Sequence, residues 1–335
     1  MASVNKAAAT KKINLSSNSF LNSISTYLKQ NLGIMVFLIA VCIIMSFISP
    51  YFLRKNNILN VLISTSSNIY LACAMTVVII SAGIDISVGS VIAFSGVMSA
   101  ISIAWFHLPL AAAILIGMAA GLLIGVLNGA IISTTAIPPF IVTLATMNIA
   151  RGLAYICTNG QPVRVMSNAF NFIGSGYIMG IPMPVIYFII IFIISILILN
   201  QTKLGRYIYA IGGNPEAARF AGVKTRRVKF FVYSFSGLMA GIAGVVLASR
   251  MYSGQPTAGN GAEMDAIAAV VLGGTSFMGG SGKLGGTLIG ALVMGVLNNA
   301  LNLLNVNSFW QYIVKGFIIL LAVYIDFLRQ KKSAF

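Results

Sequence analysis

Charge is what this 335-residue sequence has least of: Asp, Glu, Lys and Arg make up 8% of it, and only five of those residues are acidic. Soluble domains carry about 25% charged residues, so a water-soluble globular fold is excluded. Histidine occurs once, as His107, in a loop beside Pro109, which leaves metal binding or imidazole catalysis without partners. Ser and Thr are plentiful, yet no nucleophile, base and acid can be assembled around them. Cys42, Cys73 and Cys157 each fall inside an apolar run rather than at paired spacing. They read as packing residues, and neither a structural disulfide nor a metal site is expected.

What is present is apolar: 58% of the residues are hydrophobic. Crossing a hydrocarbon core as a helix takes roughly 20 residues. Runs of that kind fall near 32–50, 59–81, 86–105, 110–132, 138–157, 184–200, 229–249, 265–279, 285–304 and 308–327. The expectation is an all-α polytopic membrane protein with about ten transmembrane helices in the bacterial cell (inner) membrane. Residues 1–31 form a polar leader, a cytoplasmic N-terminal tail too long for a cleavable signal and lacking a small-residue cleavage site, since Ser49-Pro50 follows the first run. The membrane domain then covers 32–328, and 329–335 is a cytoplasmic C-terminal tail.

The net charge of +16 comes from cations clustered in loops and tails, a mark of topology and not of nucleic-acid binding. With both termini cytoplasmic, fifteen cations fall inside: four before the first run, seven in one interior loop, Lys283, and Arg329, Lys331 and Lys332. Only Arg54, Lys55, Arg164 and Arg250 fall outside. That asymmetry favours the orientation, with Arg54-Lys55 its weak point.

Two places read as broken or half-length helices, at Ser81-Ala82-Gly83 and in the short, Gly-rich eighth run. Such backbone is tolerated in a membrane only where protein or a watery cavity satisfies it, so both are candidates for a conduction path. Gly125-Val126-Leu127-Asn128 recurs as Gly295-Val296-Leu297-Asn298, and Asp85 is echoed by Asp265, each opening a stretch of small residues. The matched segments lie five runs apart, in opposite orientations, as in an inverted five-plus-five repeat.

Asp85, Arg151, Asp265, Lys315 and Asp326 are expensive in or beside apolar runs. Asp85 and Asp265 are candidate gate or pathway residues, although holding a turn (Asp85) and capping a helix (Asp265) are the favoured roles. Lys315 reads as half of a structural ion pair; Arg151 and Asp326, near helix ends, are expected to snorkel. None of the five acids is clearly placed among buried partners near the bilayer centre, as a proton-coupled carrier would require. Asn298, Asn299 and Asn302 share one helix and either line a polar path or pair helices, with pairing favoured. Gly117, Gly121, Gly125 and Gly129 lay a smooth stripe along the fourth run. Gly279-Gly280-Ser281-Gly282-Lys283 resembles a phosphate loop, but Phe277 stands where a glycine is required and Leu284 follows the lysine. It reads as a tight turn, which leaves nucleotide chemistry to another chain.

The interior loop, 201–229, holds seven of the cations against Glu216 alone. Asn214 suits an N-cap, Pro215 a first helical turn, and Glu216 the positive end of a helix running to Gly222. Ala217, Ala218 and Ala221 leave one face of that helix open to close approach.

Here a family resemblance enters. Glu216-Ala217-Ala218 with Gly222 resembles the E-A-A-x-x-x-G signature of ABC importer permeases. The stretches 83–90, 158–163, 255–259 and 265–275 resemble the bacterial ribose and other monosaccharide permease subunits, in the ribose/branched-chain amino acid permease family. The likeness runs from about Leu32 to Asp326 and implies a type II importer permease architecture. It implies that Asn214, Pro215, Glu216, Ala217, Ala218, Arg219 and Gly222 form an ATPase-coupling helix. It also implies that outer loops meet a periplasmic or extracellular sugar-binding protein, for which Arg164, Arg250 and Glu263 are candidate contacts. The expected partners are a second copy of the chain, cytoplasmic ABC ATPase subunits, that binding protein and the lipid bilayer, with no nucleic acid. No cofactor is expected on this chain, since ATP and Mg would sit on the ATPase, so it is not itself an enzyme. The activity implied is import of ribose or a similar monosaccharide. An ion-coupled secondary transporter is the alternative, favoured if uptake survives ATP depletion but collapses with an uncoupler.

Overall fold

The computed structural model describes residues 17–333, with side chains from residue 32 onward except at 325, 326 and 329–333. The expected tail residues 1–16 and 334–335, and the side chain of Asp326, lie outside that description. Helix α1 (Ser17–Ile48) starts well ahead of the apolar run, because no proline or glycine interrupts the polar leader before Gly33. The 17–31 part of the expected tail is therefore helix. It stops ahead of Ser49-Pro50, where the residue before proline is driven from helical geometry.

Helix α2 (Lys55–Ile80) closes with Ala82 in the left-handed region at φ 57° and with the Gly83 amide donating to the Val78 carbonyl at 3.0 Å. Extended chain then leads into α3 (Val88–Ala104), so the break expected near Gly83 is present. Helices α4 (Leu110–Thr134) and α5 (Pro139–Thr158) follow as regular spans. The connection from α5 carries β1 (Val163–Arg164), α6 (Asn168–Ser175) and a hairpin of β2 (Tyr177–Ile178) with β3 (Ile181–Pro182). The Ser249 hydroxyl donates to the Phe170 carbonyl at 2.6 Å and accepts from the Gly174 amide at 2.7 Å, which seats α6 on α10 (Thr225–Arg250). Strand β1 pairs antiparallel with β4 (Ser253–Gly254), joining the loop after α5 to the loop after α10.

Helix α7 (Met183–Ile196) ends in a π-helical turn, Leu197–Gln201. The basic segment after it differs from the expected connector with one short helix. It contains α8 (Lys203–Gly213), begun by the Thr202 hydroxyl accepting from the Gly205 amide at 3.1 Å, and then α9 (Pro215–Phe220). Ile208 and Ile211 are fully buried on α8, an amphipathic period hidden in the sequence by the flanking charges. The eighth run, expected near 265–279, is helical only over α11 (Ala262–Leu272), and glycine-rich turns carry the chain on to α12 (Leu284–Leu303). Helix α13 (Ser308–Ser333) completes the described chain and runs into the expected C-terminal tail.

Among the described residues six helical stretches, α2, α4, α5, α7 with its π turn, α10 and α12, are long and apolar enough to cross a membrane. Leu32–Ile48, Val88–Ala104 and Ser308–Tyr324 are shorter apolar helical stretches. Burial singles out α2 and α10: 83% and 67% of their apolar windows are covered by the rest of the chain. Helix α2 packs against α11 and α12, and α10 against α3 and α4. The α4–α10 seam is the closest, and the glycine stripe explains it. A Cβ built on Gly121 would lie 2.5 Å from the Gly241 Cα, and one on Gly125 would lie 2.5 Å from the Tyr233 carbonyl oxygen. In lipid, helices gain little by hiding apolar surface from one another, so backbone approach of this kind supplies the cohesion. Outward, α1, α5, α7 and α13 carry exposed Phe47, Ile156, Ile193 and Phe317, a surface suited to acyl chains.

Candidate functional site

The most buried ionisable acid among the described residues is Asp85, in the break between α2 and α3 and 1% exposed. Its Oδ1 accepts from the Ser87 amide at 3.0 Å and the Ser87 hydroxyl at 2.6 Å. Its Oδ2 accepts from the Ser236 hydroxyl of α10 at 2.7 Å. Asn128 of α4 donates to Ser87 Oγ at 3.1 Å and accepts from the Thr146 hydroxyl of α5 at 2.7 Å. The turn-holding role read from the sequence is present in the Ser87 amide bond. The wider network was not foreseen: Asp85 is buried among partners that include Ser236 from α10. Its neighbours are hydroxyls and an amide, which satisfy a carboxylate without neutralising it. Among the described residues no three His, Cys, Asp or Glu side chains come together to hold a metal.

Asp265 forms the matching cluster, and here the helix-cap expectation is corrected. Gly261 occupies the N-cap of α11, and Asp265 sits one turn in, with Lys315 Nζ of α13 at 2.9 Å from its Oδ2. Asn298 of α12 donates to the same oxygen at 3.3 Å. The cation arriving from α13 makes ion pairing worth more than capping at this depth. Asn299 exchanges two hydrogen bonds with Asn57 of α2, at 2.8 and 3.0 Å, and Asn302 accepts from Gln311 of α13 at 3.0 Å. All three asparagines therefore tie α12 to neighbouring helices, the role favoured from sequence.

On the basic segment, the Asn214 side chain accepts from the Glu216 and Ala217 amides at 3.0 and 2.9 Å, capping α9. Gly222 ends it at φ 83°, and the Val223 amide returns to the Ala218 carbonyl at 3.0 Å. The exposed face differs from the alanine face expected. Ala218 is buried in the body of the protein, while Ala217, Arg219, Phe220 and Ala221 point away, Phe220 being 90% exposed. Helical periodicity turns Ala218 of α9 inward and leaves Ala217 on the exposed side.

Helix α8 joins α9 to the end of α2. A Cβ on Gly212 would collide with the Ile80 carbonyl oxygen and lie 2.5 Å from the Gly280 amide nitrogen. That Gly280 N–H donates to the Ile80 carbonyl at 2.9 Å. The glycine loop thus spends this N–H on the α2 terminus rather than on a phosphate. Tyr209 of α8 adds a hydrogen bond from its hydroxyl to the Gly282 carbonyl at 2.8 Å.

Arg151 does not snorkel: its Nη1 donates to the Pro256 and Ala258 carbonyls at 2.7 and 2.8 Å. Irregular backbone there offers carbonyls closer than water. Arg164 is exposed on β1, and Arg250 is half-buried at the end of α10. Glu263 is half-buried, with its carboxylate beside Gly89, where an added Cβ would strike it. Arg54 stacks over the Tyr51 ring at 4.4 Å. The sequence signal for the missed partners was faint: isolated hydroxyls, Ser236 and Thr146, within apolar helices.

Comparison with known proteins agrees with this architecture. A family model described as branched-chain amino acid transport system / permease component matches residues 57–323. The chain is 48% identical over 307 residues to the ribose import permease protein RbsC of Bacillus subtilis, covering 91% of this chain and 94% of that protein. It is 45% identical over 300 residues to the ribose import permease protein RbsC of Escherichia coli K12, covering 88% and 93%. To the L-arabinose transport system permease protein AraH of the same strain it is 42% identical over 303 residues, covering 89% and 91%. No solved structure gives a significant match. A fold of buried, glycine-seamed apolar helices, matched by these relatives over nine-tenths of its length, belongs to the branched-chain amino acid transport system / permease component family of multi-pass membrane permeases.

Proposed function

We propose that this chain is the membrane-spanning subunit of an ABC importer that carries ribose or a similar monosaccharide into the cytoplasm. The relatives named for ribose and arabinose import support the substrate class. In this reading the six long spans, the three shorter apolar helices and α11 make ten crossings, with both termini and the basic segment cytoplasmic. The exchange of α2 and α10 between halves, and the paired Asp85–Asn128 and Asp265–Asn298 clusters, support an inverted repeat. Two copies enclose the path, an ATPase pair docks inside with ATP and Mg, and a sugar-binding protein docks outside near Arg164.

The observation that carries the proposal is the linkage from α9 to Asp85. Helix α9 projects Phe220 and Arg219 as a handle, and Ala218 fixes it to the body. Helix α8 passes any displacement through Gly212 to Ile80, five residues ahead of the buried aspartate. ATP-driven closure of the ATPases would bias this packed element between two positions, and the α2–α3 break with its hydrogen bonds would follow. Substrate choice then rests chiefly with the binding protein, consistent with Asp85 and Asp265 being the only charged residues buried among those described.

The test is reconstitution of the chain with its ATPase and binding protein in liposomes, followed by ATP hydrolysis and sugar uptake. Phe220→Ala should leave the permease as stable as before, because the ring is exposed, while lowering both ATPase capture and uptake at least tenfold. Uphill sugar movement by the chain alone, driven by an ion gradient, would instead establish the ion-coupled alternative.

A further inference from the structure

Two cavities outside the proposed pathway line up along one face of α10. Near its start, a cavity of about 320 Å³ is bounded by Lys224, Arg227, Val228 and, from α8, Leu204 and Tyr207. Further along, an apolar cavity of about 670 Å³ opens between α7 and α10, with Ile194 and Ile198 facing Phe231, Phe235, Leu238 and Ile242. Val228 precedes Phe231 by three positions and Phe235 by seven, so the same helix face lines both. On the other wall, Ile198 leads through the π turn to Leu204. The two cavities follow one another along this face of α10, the first bearing Lys224 and Arg227 and the second lined by apolar and aromatic side chains, and are read together as a cleft.

Neither cation has a carboxylate partner among the described residues, where the only ion pair is Lys315–Asp265. Glu216 is the sole acid of the 201–229 segment, and both Lys224 and Arg227 are exposed. The cleft therefore asks for an anion whose other end is apolar. Along α10 the apolar cavity runs from Phe231 to Val246, a helix rise of about 22 Å, longer than the roughly 15 Å depth of one hydrocarbon leaflet and so long enough for a whole acyl chain. We infer that the cleft between α7–α8 and α10 holds an anionic glycerophospholipid of the cytoplasmic leaflet, its phosphate between Lys224 and Arg227 and one acyl chain between Ile194 and Phe235. The lipid would lie beside the π turn that joins membrane helix α7 to α8, so its presence would stiffen the route proposed for coupling. The inference rests on the membrane reading of the chain, but its test needs neither sugar nor ATPase.

The full-length permease, purified in mild detergent, is titrated with dioleoyl phosphatidylglycerol or dioleoyl phosphatidylcholine and followed by native mass spectrometry. One phosphatidylglycerol per chain is expected to bind saturably and in preference to phosphatidylcholine. A cation near an anionic headgroup is worth roughly fivefold in affinity, so Lys224→Gln with Arg227→Gln should weaken phosphatidylglycerol on the order of 25-fold and leave phosphatidylcholine unchanged. Leu238→Trp, which fills the apolar part, should weaken both lipids. Dihexanoyl phosphatidylglycerol should bind wild-type protein less tightly than the dioleoyl form, a comparison that needs no variant to fold. Equal affinity for the short-chain lipid, or full competition by glycerol phosphate, would mean an anion site without an acyl groove and overturn the inference. Retention of phosphatidylglycerol by the Lys224→Gln/Arg227→Gln variant would do the same, as would a co-purifying protein helix in the cleft that lipid does not displace.

Discussion

Gly212 offers the sharpest test of how α9 reaches the interior, because its neighbour Gly213 supplies a control in the same helix turn. A methyl group at Gly212 would overlap the Ile80 carbonyl oxygen, whereas one at Gly213 would meet nothing within 4 Å. Carbon atoms prefer separations of about 3.5–4.0 Å, so Gly212→Ala must push α8 from the end of α2 by more than an ångström. Overpacking of that kind costs roughly 1–3 kcal/mol. Separating Gly280 from Ile80 adds about 1 kcal/mol for the lost hydrogen bond. Gly213→Ala carries neither cost and should gain a few tenths from helix propensity, being near the helix end. Both variants are reconstituted with ATPase and binding protein, and thermal midpoint, sugar-stimulated ATP hydrolysis and uptake are measured together. The expected outcome for Gly212→Ala is a lower midpoint and at least a fivefold fall in sugar moved per ATP, with Gly213→Ala at wild-type values. Equal behaviour of the two variants would refute the α8 linkage. A lower midpoint with the transport ratio unchanged would reduce Gly212 to a packing residue.

Other sites give independent expectations. Gly121→Leu should open the α4–α10 seam, where a first carbon already meets the Gly241 backbone, and lower stability by about 1–3 kcal/mol or block assembly, read by fluorescence-detected thermal stability in detergent. Lys315→Met strands the Asp265 carboxylate. Breaking a fully buried pair costs about 3–5 kcal/mol, but these side chains retain 21% and 11% exposure, so a smaller loss is expected, recovered in large part by adding Asp265→Asn. Ser236→Ala removes the hydroxyl that bonds Asp85 Oδ2, and a loss of about 1–3 kcal/mol is expected from denaturant-induced unfolding in micelles, while Ser236→Thr should retain most of the stability.

The helical runs were legible because one physical length, the thickness of the hydrocarbon layer, sets them all, and apolar composition reports it directly. The break before Asp85 and the shortness of α11 showed through glycine for the same reason: unpaired backbone in lipid needs a special cause. Helix α8 did not show, since its few apolar residues are too short a run for a span and are masked by Lys203 and Arg206. Nor did the inward turn of Ala218, because three alanines look alike until the helix is placed against a body.

Composition and charge placement alone determined that this is a polytopic helical membrane protein with its positive loop on one side, since partition into lipid depends on each segment's own chemistry. Capping of α9 by Asn214 was equally local, a matter of a side chain and amides two and three residues away. Only the tertiary structure decided which polar groups meet. Ser236 reaches Asp85 across 151 positions, and Lys315 reaches Asp265 across 50. Those pairings depend on how far helices cross and rotate, which glycine seams and side-chain volumes settle collectively and no single stretch of sequence encodes.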